Sequence, residues 1–180
     1  MANLPSIVRF GILSHERARA LPHVSVASAE VQAIRSSRTV PNGLPLHHYA
    51  NLYIDARNAM MYARKDGHLD LCAVRVSADV LDLPDVVIAD RNAAAEMARF
   101  GASPQGLALI DRELVCAEWW NSTWEAKQIR CAEVLVPGLV HPQFLIGAYV
   151  SCQAAWSRFG ELDLTEPRLQ VTMNEHLFYR

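Results

Sequence analysis

The stretch QIRCAEVLVPGLV, residues 128–140, is an apolar strand pattern with a single carboxylate at its head. The run from Val134 to Val140 favours burial in a core, and Glu133 lies directly before it. An ionised carboxylate is costly to bury unless it is paired or catalytic. Glu133 is therefore either a strand-edge residue whose head group reaches solvent, or a functional group in a cleft. The spacing alone favours the first interpretation, because most glutamates are exposed.

The composition is that of one ordinary globular domain. The chain has 180 residues, of which 51% are hydrophobic and 20% charged, and its formal net charge is −2. This length is enough to bury a core, so we expect a single domain over residues 1–180, present as a monomer. With a net charge this close to zero, contact with a polyanion requires a local basic patch.

Cysteine usage and the chain start indicate the compartment. The cysteines are widely spaced and form no CxxC pair, at positions Cys72, Cys116, Cys131 and Cys152. This spacing predicts neither a metal site nor a disulfide framework, and it favours free thiols in a reducing cytoplasm. No apolar run approaches the ~20 residues of a membrane helix, and the start MANLPSIVRFG lacks signal-peptide features. We therefore expect a soluble cytoplasmic protein without membrane contact.

Local patterns predict short helices and short strands. Helices are predicted over 29–37, 56–65, 91–101 (with Asp90 as the N-cap) and 152–160, and strands over 69–76, 85–90, 132–137, 144–151 and 168–173. Residues 4–13 are expected to form a short helix or turn, 15–27 and 39–51 loops, and 111–120, with Trp119 and Trp120, a helical or irregular stretch. The pattern predicts an α+β fold with a mixed sheet. It contains no glycine-rich phosphate loop, so P-loop and Rossmann chemistry lack support.

Four stretches, in this order, resemble the DarT family of DNA ADP-ribosyltransferase toxins. They are NLPSIVRFGILS (3–14), LHHYANLYIDARNAMMY (46–62), ADRNAAAEMARF (89–100) and EAKQIRCAEVLVPGLVHPQFL (125–145). The resemblance implies an ADP-ribosyltransferase-like split mixed β-sheet with a central NAD cleft and surrounding helices. It also implies transfer of ADP-ribose from NAD to a base in single-stranded DNA, without a metal. The expected partner is a macrodomain antitoxin, DarG, which removes the mark and binds the toxin.

The resemblance assigns the two catalytic roles. Glu133 falls on the family's catalytic glutamate, whose carboxylate stabilises the oxocarbenium-like ribose as nicotinamide leaves. An arginine in the segment after EVQAI helps to activate the acceptor base, since a guanidinium stabilises negative charge on a nucleobase. Arg35 and Arg38 both lie there, and read alone they are solvated helix-end residues. Spacing favours Arg35 for catalysis, and we expect Arg38 to contact DNA.

The resemblance also implies a cofactor wall. Tyr53, Arg57 and Met60 fall on a family trio, in which the tyrosine packs on nicotinamide and the arginine binds phosphate or nucleic acid. Read alone, Tyr53 and Met60 are core residues, because NLYIDARNAMMY has helix-like apolar spacing. In the first block, Asn3 and Leu4 are expected to bind the cofactor.

Some features differ from the family pattern. DarT proteins begin with a strand carrying a His-x-Thr element for the nicotinamide ribose and amide, and this sequence starts just past that position. Either the start is truncated or mis-set, or the protein is divergent and binds NAD weakly. His48 stands where aspartate is commoner, and we expect His47 and His48 to be loop residues. Arg91 replaces a usual glycine, and we expect it to contact DNA near the cleft or to cover the surface.

Three functions are compatible with these residues. The leading one is a DNA ADP-ribosyltransferase that acts as the toxin of a toxin–antitoxin system. The second is a catalytically weak or silent binding protein of the same fold, which the missing His-x-Thr strand favours. The third is a transferase that modifies protein or RNA. The presence of Glu133 and Arg35 favours the enzyme.

Overall fold

A computed structural model describes residues 1–119, 123–164 and 169–180. The helices are α1 (Leu4–Phe10), α2 (His15–Ala18), α3 (Ala29–Ser36), α4 (Ala59–Ala63), α5 (Arg112–Val115), α6 (Trp124–Ile129) and α7 (Gln153–Gly160). The strands are β1 (Ile12–Leu13), β2 (Tyr49–Tyr53), β3 (Ala73–Val76), β4 (Val87–Ala89), β5 (Phe100–Ala102), β6 (Glu133–Pro137), β7 (Leu139–Val140), β8 (Leu145–Val150) and β9 (Val171–Met173). Trp120 and Arg168, which belong to two predicted segments, lie outside the described residues.

The strands form separate sheets, which confirms the predicted α+β fold with a split mixed sheet. The largest has the order β2-β6-β4-β5, a second has the order β3-β8-β9, and β1 pairs with β7. The pair β8–β9 is parallel, and the other pairs are antiparallel. Short α-helices and 3₁₀ turns connect the strands.

Strand β6 lies between β2 and β4 because its sequence is apolar on both faces. Residues 133–136 are all buried, as expected for a strand with neighbours on both sides. The register places Glu133 opposite Tyr53 of β2 and opposite Ala89 of β4. Glu133 therefore lies on a central strand of the larger sheet, with a paired residue on each side.

A second core lies between α1, α7 and the smaller sheet. Leu4 and Val8 of α1 pack with Ala148 and Val150 of β8 and with Phe159 of α7. Helix α1 has a proline in its first turn and ends at Gly11, whose φ is 86°. A Cβ at Gly11 would lie 2.1 Å from the Val140 carbonyl oxygen, so glycine is required where α1 turns into β1.

The predicted helix over 91–101 is wrong, because its polar groups bond to other partners. Asp90 accepts hydrogen bonds from the backbone N–H of Arg99 and does not cap a helix. Asn92 accepts from the N–H of Ala94, and the Ala93 N–H donates to Glu133. The chain forms turns here, and the predicted end residue Gly101 lies in β5. Tertiary hydrogen bonds override the helix propensity of the alanines.

The predicted loop over 39–51 and the helix-like interpretation of 51–62 are also wrong in part, because a strand overlaps both. Residues 49–53 form β2, because each of them pairs with a residue of β6. The helix predicted over 56–65 is shorter and covers α4 alone. It begins after Asn58, whose side chain caps the Met61 N–H. Residues 15–18, predicted as loop, form α2.

Candidate active site

The carboxylate of Glu133 is buried and fully hydrogen-bonded. Glu133 is 1% exposed, so the strand-edge interpretation is wrong. Its Oε1 and Oε2 accept hydrogen bonds from Nη1 of Arg35 at 3.1 and 3.0 Å. Oε1 also accepts from the backbone N–H of Ala93 at 3.1 Å. The group therefore has one cationic partner and one neutral partner.

Burial and these partners act on the pKa of Glu133 in opposite directions. Desolvation raises the pKa above the usual glutamate value, because it disfavours the charged form. The Arg35 charge and the Ala93 N–H lower it, but burial dominates. Glu133 is thus a carboxylate with a raised pKa in the core, the kind of group found at catalytic sites.

Arg35 reaches Glu133 from the last turn of α3. It is the buried residue of this helix, with 5% of its surface exposed. Its Nη2 is buried and has no hydrogen-bond partner among the residues that the structure describes. A buried guanidinium nitrogen without a partner is costly, so it is suited to receive an acceptor atom from a ligand.

The histidines of the second block lie beside Arg35. His47 and His48 belong to a 3₁₀ turn. The His47 ring stacks on His15 at 4.1 Å, and its Nε2 lies 3.1 Å from Oε1 of Gln32. Burial, then the charges of His15 and Arg35, lower the pKa of His47, which favours a neutral ring.

The loop that supplies the Ala93 N–H is held by Arg38. Nη1 of Arg38 donates to the carbonyl of Ala93 at 3.4 Å and to that of Ala95. Both backbone groups of Ala93 are therefore bonded: its N–H donates to Glu133, and its carbonyl oxygen accepts from Arg38. Part of the Arg38 guanidinium is engaged inside the protein, and its predicted contact with DNA stays a prediction.

Arg91 is also engaged within the chain. Its Nε lies 3.3 Å from Oδ1 of Asp90, and its Nη1 lies 3.7 Å from Oε1 of Glu125. The Arg91 side chain is 16% exposed. Two carboxylates balance its charge, and its predicted contact with DNA stays a prediction as well.

Cavities lie next to this site. One of about 700 Å³ is lined by residues of both larger sheets, including Tyr53 of β2, and by Met60. Burial raises the pKa of Tyr53, and the charge of Glu133 adds to this effect, so the phenol stays protonated. A second cavity, of about 990 Å³, is lined by Asn3, Leu4 and again Met60. The structure thus brings Tyr53 beside Glu133, and Met60 lies at both cavities.

The loop between β2 and α4 is fixed by an arginine that the sequence interpretation passed over. Nη2 of Arg130, which is 1% exposed, lies 3.1 Å from Oδ2 of Asp55 and also donates to the Arg57 carbonyl. Nη1 of Arg130 donates to the carbonyls of Leu114 at 3.3 Å and Ala117 at 2.6 Å. The available signal was its position, since Arg130 enters the core three residues before Glu133.

Arg57 lies over an aromatic ring at the end of the chain. Its Cζ is 4.7 Å from the centroid of Tyr179, whose hydroxyl donates to the Arg57 carbonyl at 3.4 Å. Nε of Arg57 is buried without a partner in the described part of the chain. Its guanidinium is therefore oriented by stacking and keeps hydrogen-bonding capacity for an anion.

The described residues contain no group of three or more histidine, cysteine, aspartate or glutamate side chains that could hold a metal ion. In the same residues, no helix is long and apolar enough to cross a membrane.

A family model matches nearly the whole chain. The model describes the ssDNA thymidine ADP-ribosyltransferase DarT and matches residues 1–179. The chain belongs to the DarT family. Membership confirms the family resemblance carried by the four sequence stretches.

Two relatives show how far the DarT similarity extends. A DNA ADP-ribosyl transferase–DNA ADP-ribosyl glycohydrolase fusion protein of Thermosipho africanus is 30% identical over 158 residues, which are 83% of this chain and 40% of that protein. The chain thus spans less than half of the fusion protein. A DNA ADP-ribosyl transferase of Thermus sp. is 31% identical over 147 residues, 74% of this chain and 69% of that protein.

Solved DarT structures share the fold. Thermosipho africanus DarTG in complex with ADP-ribose superposes with a TM-score of 0.84 at 25% identity, and covers 98% of this chain and 48% of that one. Thermus sp. 2.9 DarT in complex with ADP-ribosylated ssDNA gives a TM-score of 0.79 at 26% identity. The match covers 99% of this chain and 92% of the Thermus chain. The expected ADP-ribosyltransferase fold is therefore confirmed.

Proposed function

We propose that this chain transfers ADP-ribose from NAD to the base of a thymidine in single-stranded DNA. The observation that carries the proposal is the Glu133 carboxylate, buried at the head of β6 and held by one arginine and one backbone N–H, in a chain of the DarT family. The Thermus relative in complex with ADP-ribosylated ssDNA supports the choice of acceptor.

Glu133 stabilises the donor ribose during bond cleavage. Breaking the bond between ribose and nicotinamide creates an oxocarbenium-like sugar, and a fixed carboxylate at the ribose 2′-hydroxyl stabilises its positive charge. A strand in the middle of a sheet holds the carboxylate rigidly, which avoids reorganisation during the reaction. Because Arg35 bonds both carboxylate oxygens, the 2′-hydroxyl must share or replace one of these bonds.

Arg35 acts on the acceptor base. The ring nitrogen bonds to the ribose C1′ as the bond to nicotinamide breaks, and its proton passes to solvent. A guanidinium stabilises the negative charge that spreads onto the base carbonyls when the proton leaves. Nη1 of Arg35 is bonded to Glu133, whereas Nη2 is buried without a partner in the described structure. We assign Nη2 of Arg35 to the base. The two members of one ion pair then contact the two substrates, with Glu133 at the ribose of NAD and Arg35 at the acceptor base.

The remaining candidate residues are assigned to binding of NAD and of the DNA strand. Tyr53 and Met60 form the wall for the nicotinamide side of NAD, with Asn3 and Leu4 in the adjoining cavity. Arg57 supplies charge for a phosphate or for nucleic acid, oriented by its stacking on a tyrosine.

Arg38 and Arg91 are assigned to the acceptor strand, since both flank the loop that contacts Glu133. Arg91 is already paired with two carboxylates, so Arg38 contributes more to the affinity for DNA.

We further propose that the chain is the toxin of a toxin–antitoxin system. The Thermosipho relative joins an ADP-ribosyl transferase and an ADP-ribosyl glycohydrolase in one protein, which supports pairing with a hydrolase of the DarG kind. A lethal modification of DNA requires such a reversing activity in the cell that makes it.

The transfer is tested with purified protein, NAD and matched oligonucleotides. A single strand with one thymidine is compared with the same strand in which deoxycytidine replaces it, and with the duplex, by mass spectrometry. We expect ADP-ribose on the first strand alone, because a duplex hides the base edge. Labelling of protein or RNA in place of DNA would show that DNA is not the substrate. Binding without any transfer would make the chain a silent binding protein.

A further inference from the structure

The 700 Å³ cavity has a charge balance that the residues assigned above leave unexplained. Among the described residues that line it, the charged ones are Asp55 and Arg75, and the others are mostly apolar, with the two tyrosines Tyr53 and Tyr149. Asp55 is neutralised by the buried Arg130, whose Nη2 lies 3.1 Å from its carboxylate. Arg75 therefore leaves a net positive charge on the wall.

Arg75 has no counter-charge among the residues that the structure describes. It lies in β3 and makes no hydrogen bond or ion pair with any residue that the structure describes. Its Cζ is 5.1 Å from the centroid of the Tyr149 ring, a stacking distance. A guanidinium stacked on a ring keeps its N–H groups, which lie around its edge, available for an anion.

The strand next to Arg75 provides the space for its side chain. The register pairs Arg75 with Gly147 of β8. Gly147 has a φ of 154°, and a Cβ there would lie 2.7 Å from the Gln170 carbonyl oxygen and 3.6 Å from Nη1 of Arg75. The guanidinium thus lies beside bare backbone, next to Tyr149 on the same strand.

We propose that Arg75 and Tyr149 form a subsite for the phosphate of a nucleotide in this cavity. The inference rests on the proposed function and adds a ligand class to its cavity. A volume of about 700 Å³ is in the range of small-molecule sites. An unpaired arginine in a partly buried, mostly apolar site matches a phosphate, which it binds through two parallel N–H donors. The chemistry fits the pyrophosphate of the ADP-ribose donor and the phosphodiester of the acceptor strand alike.

The experiment measures binding of three probes to the full chain. ADP-ribose carries phosphate, adenosine lacks it, and a thymidine-containing single strand presents the acceptor backbone. The variants are Arg75→Met, which keeps the length of the side chain, and Arg75→Lys, which keeps the charge but not the fork. Arg9→Met is the matched control, since Arg9 also lies over a ring (Phe10, at 5.0 Å) but is exposed and does not line this cavity.

We expect Arg75→Met to weaken phosphate binding by about 10- to 100-fold, the usual effect of losing hydrogen bonds to a charged group. Arg75→Lys should lose less of this affinity, and Arg9→Met should leave the affinity for ADP-ribose and for the single strand unchanged. Weaker ADP-ribose binding with unchanged binding of DNA assigns the subsite to the donor. Weaker DNA binding, with a salt slope reduced by about 0.7, assigns it to the strand.

Unchanged affinity for both phosphate probes would overturn the proposal. An equal loss for adenosine would also overturn it, because the cavity itself would then be damaged. Thermal unfolding of each variant shows whether the fold is intact. Tyr149→Leu is a second variant, which removes the ring and keeps the Arg75 cation. Arg75-dependent binding of ADP-ribose in a protein that transfers nothing would refute the proposed function and leave the subsite standing.

Discussion

Glu133 is an acidic group kept inside the core by two partners of different kinds. The Arg35 guanidinium supplies charge, and the Ala93 N–H supplies a fixed dipole. Burying an ion pair gains little stability, because desolvation offsets the attraction between the charges. The proposed function explains the pair better, since it uses the carboxylate for a sugar cation and the guanidinium for an anionic base.

Arg35 controls the protonation of Glu133, which leads to a pH prediction. In Arg35→Gln the cation that favours the ionised carboxylate is lost, so the already raised pKa of Glu133 rises further. If the ionised form is active, the acid limb of the pH–rate profile for NAD hydrolysis moves to higher pH. Cys131 and Tyr53, beside Glu133, stay neutral there, because burial raises the pKa of Cys131 to about 11 and that of Tyr53 as well.

The control for that profile is Arg9→Gln, which removes an exposed arginine far along the chain from this ion pair. An acid limb at the same pH in wild type, Arg35→Gln and Arg9→Gln would show that Arg35 does not set the pKa of the catalytic group.

The same residue gives a second prediction, about the acceptor. At a pH high enough to ionise Glu133 without its partner, Arg35→Gln should recover NAD hydrolysis but not transfer to DNA. The reason is that, in the proposed mechanism, hydrolysis needs the carboxylate, whereas transfer also needs Nη2 of Arg35 at the base. Rates of nicotinamide release and of oligonucleotide modification are measured together across pH. Parallel recovery of both rates would remove Arg35 from the activation of the base.

At the scale of elements, the sequence predicted some segments better than others. Strands β6 and β8 and helices α3 and α7 were predictable, because apolar runs and helix-forming residues specify them locally. The segment 91–101 was not, because the Ala93 N–H donates to Glu133, a residue of another strand, and the Arg99 N–H turns back to Asp90. The same limit applies to the site. The resemblance identified Glu133, but its ion pair with Arg35 spans 98 positions and has no local signal.

The loop between β2 and α4 gives a prediction about stability. Arg130→Met removes a buried guanidinium that joins Asp55 and the Arg57 carbonyl to the carbonyls of Leu114 and Ala117. Removing one partner of a buried pair typically costs about 3–5 kcal/mol. We expect a decrease of this size in the free energy of unfolding, measured in urea.

Arg19→Met is the matched control, because it breaks an exposed pair with Glu16, whose side chains are 68% and 51% exposed. Such pairs contribute about 0–1 kcal/mol. Similar losses in Arg130→Met and Arg19→Met would mean that the Arg130 network does not hold the loop.

At the scale of the whole molecule, two sheets enclose a cavity beside a central carboxylate. Residues of β2 and β6 form one side of the lining, and residues of β3 and β8 form the other. The overall fold follows from the family, as the DarT superpositions confirm. The strand pairing that creates the cavity joins residues far apart in sequence, which is why apolar periodicity alone did not reveal it.

The charge of the molecule leads to a prediction about its affinity for DNA. With a formal net charge of −2, affinity must come from a few arginines at the site. We expect a salt dependence that corresponds to roughly two to four phosphates, with a log–log slope near −0.7 for each. Binding to duplex should be much weaker, because the base must first be unpaired. Fluorescence anisotropy across a salt series tests this. A flat salt response, or equal affinity for both forms, would contradict the account.

The central claim is that Glu133 drives transfer of ADP-ribose to single-stranded DNA, and one substitution tests it most directly. Glu133→Gln keeps the shape and removes the charge, so transfer should fall by at least ~10²–10³ while the fold persists. Glu113→Gln makes the same change in an exposed side chain of α5 to which no role is assigned, and it should retain full activity. Mass spectrometry of a thymidine-containing strand after incubation with NAD measures both. Transfer by Glu133→Gln within a few-fold of wild type would contradict the assignment.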